Sequence, residues 1–435
     1  MDVTTLLDEL SHASTEESAV SVIEQLGALQ QAKAVGPLVQ RLKSSPEQER
    51  LAICEALGMI GDARAVAPLV SMLKDDAESI RGEAFSALVS IGDKRSRFMP
   101  PEAKGDADSD PRMALTQIAW PADIDAIHML LNSVSDPDPE IRIGCAYTLG
   151  RLGIGAALDK LANLLKTDGD ADVRAAAAFG LGDLGEAGDS RVGLHLIDAW
   201  PANRSDTECC VAIIRALNSI GSENSIDVLL DAATHDDERV RQLAAMGLGA
   251  AKEPQANARL IRLLSDDSKS VQRIAIGALA RKPLPNTVQA LFNCIIDAAA
   301  EIRFAAADAL KKQEPTQVRA VLERNARSKS AESRRAVVFL AGYFGPQNLL
   351  LDGLKDESVN VRKAAALGVA STANKDLGQH LAVALSDPHW TVRVAAAEGL
   401  RRLQSQNFLA DLHATLDDPH PVVRKAVQTA IEGLS

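Results

Sequence analysis

The sequence predicts an all-α solenoid, a stack of helical hairpins that repeats along most of the chain. Three observations lead to this prediction. A motif recurs about every 31 residues, apolar residues follow helical spacing around it, and 46% of residues are hydrophobic whereas only 3% are aromatic. A fixed period in this range is typical of solenoids. Ala and Leu supply most of the apolar content, which favours closely packed helices over β-sandwiches.

The recurring motif is a β-branched residue, an arginine, several small residues and an apolar residue seven positions after the arginine. Examples are "EIRIGCAYTLGRLG", "DVRAAAAFGLGDLG" and "NVRKAAALGVAS". The arginines of the motif are Arg81, Arg142, Arg174, Arg241, Arg303, Arg362, Arg393 and Arg424. The same register places Arg50, Cys210, Gln272 and Arg334 at the arginine position of further repeats.

Each period contains two predicted helices, as residues 63–92 illustrate. Apolar residues with a spacing near 3.6 form one face of each helix. They are Val66, Leu69, Val70 and Leu73 in the first helix and Ile80, Ala84, Leu88 and Ile91 in the second. Asp75 and Asp76 separate the two helices, and Gly92 is expected to end the second as a C-cap. The repeating unit is therefore a helical hairpin.

An aspartate stands six residues before most of the arginine positions of the motif, including the one that Gln272 occupies. We expect it to cap the second helix and to favour the positive end of the helix dipole. Stacking should also place the aspartate of one hairpin beside the arginine of the next, which forms a ladder of charges. The aspartates are Asp75, Asp136, Asp168, Asp266, Asp297, Asp356, Asp387 and Asp418. These recurring aspartates account for much of the acidic content, so the net charge of −12 does not require a cationic partner.

The pattern D-x-x-x-x-VR-x-x-A-A-x-x-L-G resembles HEAT repeats of the phycobilisome-lyase type, over nearly the whole chain. This resemblance implies one ARM/HEAT-type superhelix over residues 1–435, built from about 13 hairpins. The first hairpin is expected at roughly 3–29 and the last at 405–434. About 30 extra residues near 93–120 break the rhythm. They are either a solvated loop or a functional insertion.

The resemblance also implies two kinds of enzyme. Deoxyhypusine hydroxylases bind two irons through His-Glu pairs just after the arginine, but no histidine here precedes a glutamate. Bilin lyases attach tetrapyrroles, yet no motif fixes a bilin. A phosphate loop, G-x-S-x-G, HExxH and CxxC are also absent. We therefore expect no catalytic residue, cofactor or metal. A lyase-like enzyme or chromophore chaperone remains the alternative.

The acidic pI of about 5.3 argues against nucleic-acid binding. The sequence has no apolar run long enough to cross a membrane. We expect no signal peptide, because "MDVTTLLDELSHAS" has neither a basic nor an apolar region. Five scattered cysteines do not suggest a disulfide framework. The expected protein is a soluble, cytoplasmic monomer.

A partner surface is expected on the second helices, which line the concave face of HEAT arrays. The fifth residue after the arginine should point partly outward, and four consecutive hairpins carry residue types typical of interface hot spots there. They are Tyr147, Phe179, Arg215 and Met246. The sequence therefore predicts a non-catalytic scaffold that binds a protein or peptide along a strip about 30 Å long. Basic residues at nearby helix ends either favour an acidic partner or form a solvated rim. They are Arg151, Arg281, Lys282, Lys311 and Lys312.

Cys209 and Cys210 are adjacent, which raises the alternative of a metal or iron–sulfur handling protein. Counted back from Gly221, Cys209 takes the β-branched position and Cys210 the arginine position, while Arg204 takes the aspartate position. Both halves of the charge ladder are thus missing in this hairpin. We expect Cys209 to be buried. Cys210 lies in the first helical turn, where the dipole would lower the pKa of a thiol, so it is the candidate reactive thiol.

Overall fold

The structure, a computed structural model, describes residues 2–98, 124–186, 188–222, 224–282, 284–297 and 299–434. In these residues the regular structure is helical throughout, with 26 α-helices that pair into 13 hairpins. The prediction of an α-solenoid is confirmed. The chain divides into two compact units, Met1–Gly247 and Leu248–Ser435. Whether residues 1–435 form one solenoid stays a prediction.

Odd-numbered helices are the first and even-numbered helices the second of each hairpin. The first seven hairpins contain α1 Val3–His12, α2 Glu16–Leu29, α3 Val35–Leu42, α4 Glu47–Ile60, α5 Val66–Met72, α6 Glu78–Phe98, α7 Ile124–Ser133, α8 Pro139–Arg151, α9 Leu158–Thr167, α10 Ala171–Glu186, α11 Val192–Asn203, α12 Thr207–Ile220, α13 Ile226–Ala232 and α14 Glu238–Ala250. The remaining six contain α15 Pro254–Leu263, α16 Lys269–Leu279, α17 Pro285–Asp297, α18 Ala300–Lys311, α19 Pro315–Ala326, α20 Ala331–Tyr343, α21 Gln347–Gly353, α22 Val359–Ser371, α23 Gly378–Ala384, α24 Trp390–Arg402, α25 Leu409–Ala414 and α26 Pro421–Leu434.

The predicted apolar faces form the core of the hairpins. Ile80, Ala84, Leu88 and Ile91 of α6 are each at most 1% exposed. Full burial of one large aliphatic side chain stabilises a fold by about 1.5–3 kcal/mol. The helix does not end at Gly92, because α6 continues to Phe98. An internal glycine destabilises a helix by only about 1 kcal/mol. No proline, which would break the helix, occurs between Gly92 and Pro100. Residues 93–98 of the predicted insertion are thus helical, and 99–120 lie outside the described residues.

The charge ladder exists, but it runs in the opposite direction to the predicted one. Arg142 donates to both carboxylate oxygens of Asp168 in the following hairpin, with Nε–Oδ2 and Nη2–Oδ1 distances of 2.9 Å. Its Nη1 also donates to the carbonyl of Asp136 in its own hairpin at 2.9 Å. The same geometry recurs in the pairs Arg334–Asp356, Arg362–Asp387 and Arg393–Asp418. Each arginine thus joins its own turn to the turn that follows.

The aspartate stabilises the turn that precedes the second helix, and it does not cap that helix. Oδ1 of Asp356 accepts a hydrogen bond from the backbone N–H of Ser358 at 2.8 Å, and α22 begins one residue later. The aspartate therefore stands two residues before the N-cap position and forms an Asx turn. The hydrogen bonds from Arg393 lower the pKa of the equivalent Asp418. The aspartate therefore shapes the turn, and its contact with the arginine favours the ionised form of Asp418.

Small residues allow neighbouring second helices to approach closely in the first unit. A Cβ atom on Gly150 of α8 would lie 2.4 Å from Cα of Gly180 on α10, which no side chain tolerates. On α4, a Cβ atom on Gly58 would meet Cα of Ala87 on α6 at 2.8 Å. The glycine near the end of the motif thus lets the helices touch along their length.

We predict that Arg362→Lys lowers the free energy of unfolding by about 1–3 kcal/mol, because lysine cannot reproduce the bidentate contact with Asp387. The side chains of this pair are only 13% and 8% exposed. Arg319→Lys is the matched control, since the Arg319–Glu323 pair is 66% and 53% exposed and should contribute little. Urea denaturation followed by circular dichroism measures both changes. Equal losses in the two variants would contradict a structural role for the ladder.

Candidate functional site

The four predicted partner-binding residues lie on consecutive second helices of the first unit, α8, α10, α12 and α14. Tyr147 and Phe179 are half-buried, whereas Arg215 is exposed and Met246 is 54% exposed. The neighbouring positions of the same helices carry mostly buried Ala and Leu. These four side chains are therefore placed where a partner could reach them.

Three of the four side chains form a continuous row of ring contacts. The rings of Tyr147 and Phe179 stack with their centroids 5.7 Å apart and their planes 25° apart. The guanidinium carbon of Arg215 lies 5.6 Å from the centroid of Phe179. Offset stacking and cation–π contacts of this kind are attractive. Met246 is on the next second helix and extends the surface with an apolar side chain.

Phe85 of α6 also belongs to this row, although the repeat pattern did not predict it. Its ring centroid is 5.7 Å from that of Tyr147, with the planes 46° apart. Phe85 stands at the fourth position after its arginine, which the pattern assigns to the core. Several other hairpins carry alanine at this position, for example Ala146, Ala178 and Ala245. A phenylalanine is too large for such a position, and this size mismatch is the signal that could have found it. We call Phe85, Tyr147 and Phe179 the aromatic row.

The charged groups around the aromatic row are of both signs. Burial raises the pKa of the Tyr147 hydroxyl, and the charges of Asp172 and Asp183 add to this effect. Arg151 forms an ion pair with Asp183, with an Nε–Oδ2 distance of 3.3 Å. In the second unit, Lys282 donates to the carbonyls of Leu248 and Ala251 at 2.8 and 2.6 Å. Two of the basic residues proposed as a rim therefore make contacts within the fold.

The adjacent cysteines are fully buried at the start of α12. Sγ of Cys209 lies 3.2 Å from Oδ1 of Asn203, and Sγ of Cys210 lies 3.3 Å from the carbonyl oxygen of Asn203 and 3.5 Å from that of Arg204. Burial raises the pKa of both thiols to about 12. The burial of Cys210 thus outweighs the expected effect of the helix dipole, and its reactivity stays a prediction.

The ladder continues past these cysteines through different partners. Nη2 of Arg174 lies 2.8 Å from Oδ2 of Asp206, and its Nε donates to Oδ1 of Asn203 at 2.8 Å. Asp206 is the N-cap of α12. Arg204, which occupies the aspartate position, forms an ion pair of 2.8 Å with Asp231. The contact between hairpins is thus retained although the motif is lost.

The residues that the structure describes bear on two further features, a metal site and a membrane-spanning helix. Over these residues, no group of three or more His, Cys, Asp and Glu side chains is arranged to hold a metal ion. Likewise, none of the helices described here combines the length and the apolar character needed to cross a bilayer.

We predict that Cys210 reacts with a thiol probe more slowly than free cysteine at neutral pH, because it is buried and its pKa is raised to about 12. The rate of reaction with dithiobis(nitrobenzoate) in the native protein, compared with Cys210→Ser, measures this thiol alone. In urea, which unfolds the protein, the wild type should show one more rapidly reacting thiol than Cys210→Ser. Reaction of native Cys210 faster than free cysteine would instead identify a reactive thiol.

Comparison with known proteins gives a family and a set of similar folds. A family model described as HEAT repeats matches residues 3–96, 103–182, 202–270, 257–341 and 348–432. A search of curated proteins found no match. Among solved structures, Kap121p bound to Nup53p covers 100% of this chain at 14% identity with a TM-score of 0.57. Kap121p bound to the extreme C-terminus of the protein phosphatase Cdc14p also covers 100% at 14% identity, with a TM-score of 0.55.

These likenesses concern the fold alone, because the identities are low. The chain spans 52% and 50% of the two karyopherin chains. The complex of CpcE and CpcF of phycocyanin lyase from Nostoc is 20% identical over 64% of this chain and 94% of that one, with a TM-score of only 0.33. The phycobilisome-lyase type of repeat stays a prediction. Since the family model matches well over half of the residues, the chain belongs to the HEAT-repeat family.

Proposed function

We propose that this protein is a non-catalytic scaffold that binds a protein or peptide partner along the solvent-exposed faces of the second helices in its first unit. The observation that carries the proposal is the row of contacting side chains Phe85, Tyr147, Phe179 and Arg215. Aromatic residues and arginine are the side chains most enriched at the energetic centres of interfaces. A helix surface of this composition is typical of a binding site.

The contacts within the row favour tight binding. Tyr147 and Phe179 are held against each other before a partner arrives, so their ordering costs little side-chain entropy on association. Large rings also bury much apolar area while losing only two torsions each. The exposed Met246 adds an adaptable apolar contact at one end.

The helix packing of the first unit supports an extended binding surface. From α2 to α12, second helices of neighbouring hairpins contact each other more extensively than first helices do. This difference is typical of the inner layer of a curved array, where a partner segment contacts several repeats at once. The similarly folded Kap121p is described as bound to Nup53p and to the extreme C-terminus of Cdc14p. We propose a protein segment as the partner here also, because a net charge of −12 disfavours nucleic acid.

We predict that the double variant Tyr147→Ala/Phe179→Ala loses its partner, with binding about thirtyfold weaker or more, as expected for two hot-spot side chains. Capture of partners from the native cell by tagged full-length protein measures the loss. Leu194→Ala is the matched control, because Leu194 is 60% exposed on the first helix α11.

Arg215→Ala provides an independent variant at an exposed position, in case the double variant melts at a lower temperature. Arg215→Ala alone should also reduce the amount of partner recovered. Recovery that is unchanged with both the double variant and Arg215→Ala would contradict the proposed surface.

A further inference from the structure

A single carboxylate interrupts the apolar seam of second helices beside the aromatic row. Glu83 of α6 stands two positions after Arg81 and is half-buried. The same position is small or apolar in every other hairpin that follows the motif. Those residues are Ala52, Gly144, Ala176, Ala212, Leu243, Ile274, Ala305, Ala336, Ala364, Ala395 and Ala426. Repeat packing therefore does not require a carboxylate at this position.

Glu83 lies within electrostatic reach of a second carboxylate, Glu55, on the neighbouring helix α4. Burial raises the pKa of Glu83, and the charge of Glu55 raises it further. In the part of the chain that the structure describes, neither side chain makes an ion pair or a hydrogen bond. The buried Glu49 of the same unit differs, because it accepts hydrogen bonds from Arg41 at 2.5 Å and from Ser45 at 2.8 Å. Glu55 and Glu83 thus offer unneutralised negative charge at one end of the aromatic row.

The opposite end of the row carries an unneutralised positive charge. The exposed guanidinium of Arg215 on α12 lies over the ring of Phe179. Among the described residues, no carboxylate forms an ion pair with it. A guanidinium on an aromatic face keeps its in-plane donors available for a carboxylate. From the α6 end to the α12 end, this surface therefore carries carboxylates, then three aromatic rings, then a guanidinium.

The spacing of these charges sets the length of a matching ligand. Each of the three contacts from the ring of Phe85 to the guanidinium of Arg215 spans 5.6–5.7 Å. The row itself is therefore at most about 17 Å long, and three helix spacings of roughly 10 Å set an upper limit of about 30 Å between charges that lie beyond its ends. An extended peptide advances about 3.3 Å per residue, so about five to nine residues separate the two charged ends of a segment that spans the row.

We propose that the partner is an extended protein segment with a lysine or arginine at Glu55 and Glu83, apolar or aromatic side chains on the aromatic row, and an aspartate or glutamate about five to nine residues away at Arg215. This inference rests on the proposed function and adds the chemistry and polarity of the partner. Opposite charges at the two ends fix one orientation of the segment, since the reverse orientation places like charges together.

The test uses a random library of twelve-residue peptides, displayed on phage and selected on the full-length protein. Selected peptides should carry a basic residue about five to nine positions from an acidic one. The best peptide, synthesised with a fluorescent label, then gives a dissociation constant by fluorescence anisotropy. Glu83→Gln and Arg215→Gln should each weaken its binding at least about fivefold. Glu9→Gln, which removes an exposed carboxylate on the first helix α1, should leave binding unchanged.

A second set of measurements separates this inference from the proposed function. Replacement of the basic residue of the peptide by glutamine should weaken binding to the wild type, and Glu83→Gln should then have no further effect. If substitution of Tyr147 weakens peptide binding but substitution of Glu83, Glu55 or Arg215 does not, the inference is overturned and the proposed function stands. If no selected peptide depends on Tyr147 and Phe179, both are overturned.

Discussion

The bidentate contact between the arginine of one hairpin and the aspartate of the next is the interaction on which the stack depends. Arg142, Arg362 and Arg393 each bind a carboxylate across the hairpin boundary while they also bind a carbonyl of their own turn. The side chains are largely buried, so solvent screens these contacts less than surface ion pairs. Removing one partner leaves the other charge poorly solvated, which makes the contact strongly directional.

This contact fixes the hairpins at the turns, and the close approach of second helices fixes them along their length. Together these two constraints bring the fifth position of successive second helices into one line, which carries Tyr147, Phe179 and Arg215 and is extended by Phe85 at a fourth position. Because each hairpin contacts mainly its neighbours, a local change in the ladder is absorbed locally. Arg174 binds Asp206 where Cys210 and Arg204 replace the usual pair. Arg215 therefore keeps its place beside Phe179 although its own hairpin lacks the motif.

The sequence predicted the helices well, because the period and the apolar spacing report directly on burial. It predicted three members of the contact row, since the repeat register assigns each residue a position on its helix. It missed Phe85 because one register position can face the core in one hairpin and a neighbouring helix in another. The direction of the ladder depends on the rotation between hairpins, which no single repeat encodes. The raised pKa of Cys210 arises from burial, and that burial depends on how neighbouring elements pack.

Hydrogen–deuterium exchange of the full-length chain, with and without a captured partner or selected peptide, tests the central claim that neighbour contacts align the second helices into one binding surface. The account predicts slower exchange in α8, α10 and α12 together when the ligand is bound, because the ligand contacts all three helices. The first helices α7, α9 and α11 should change little. Protection confined to these first helices, or to a single hairpin, would contradict the account.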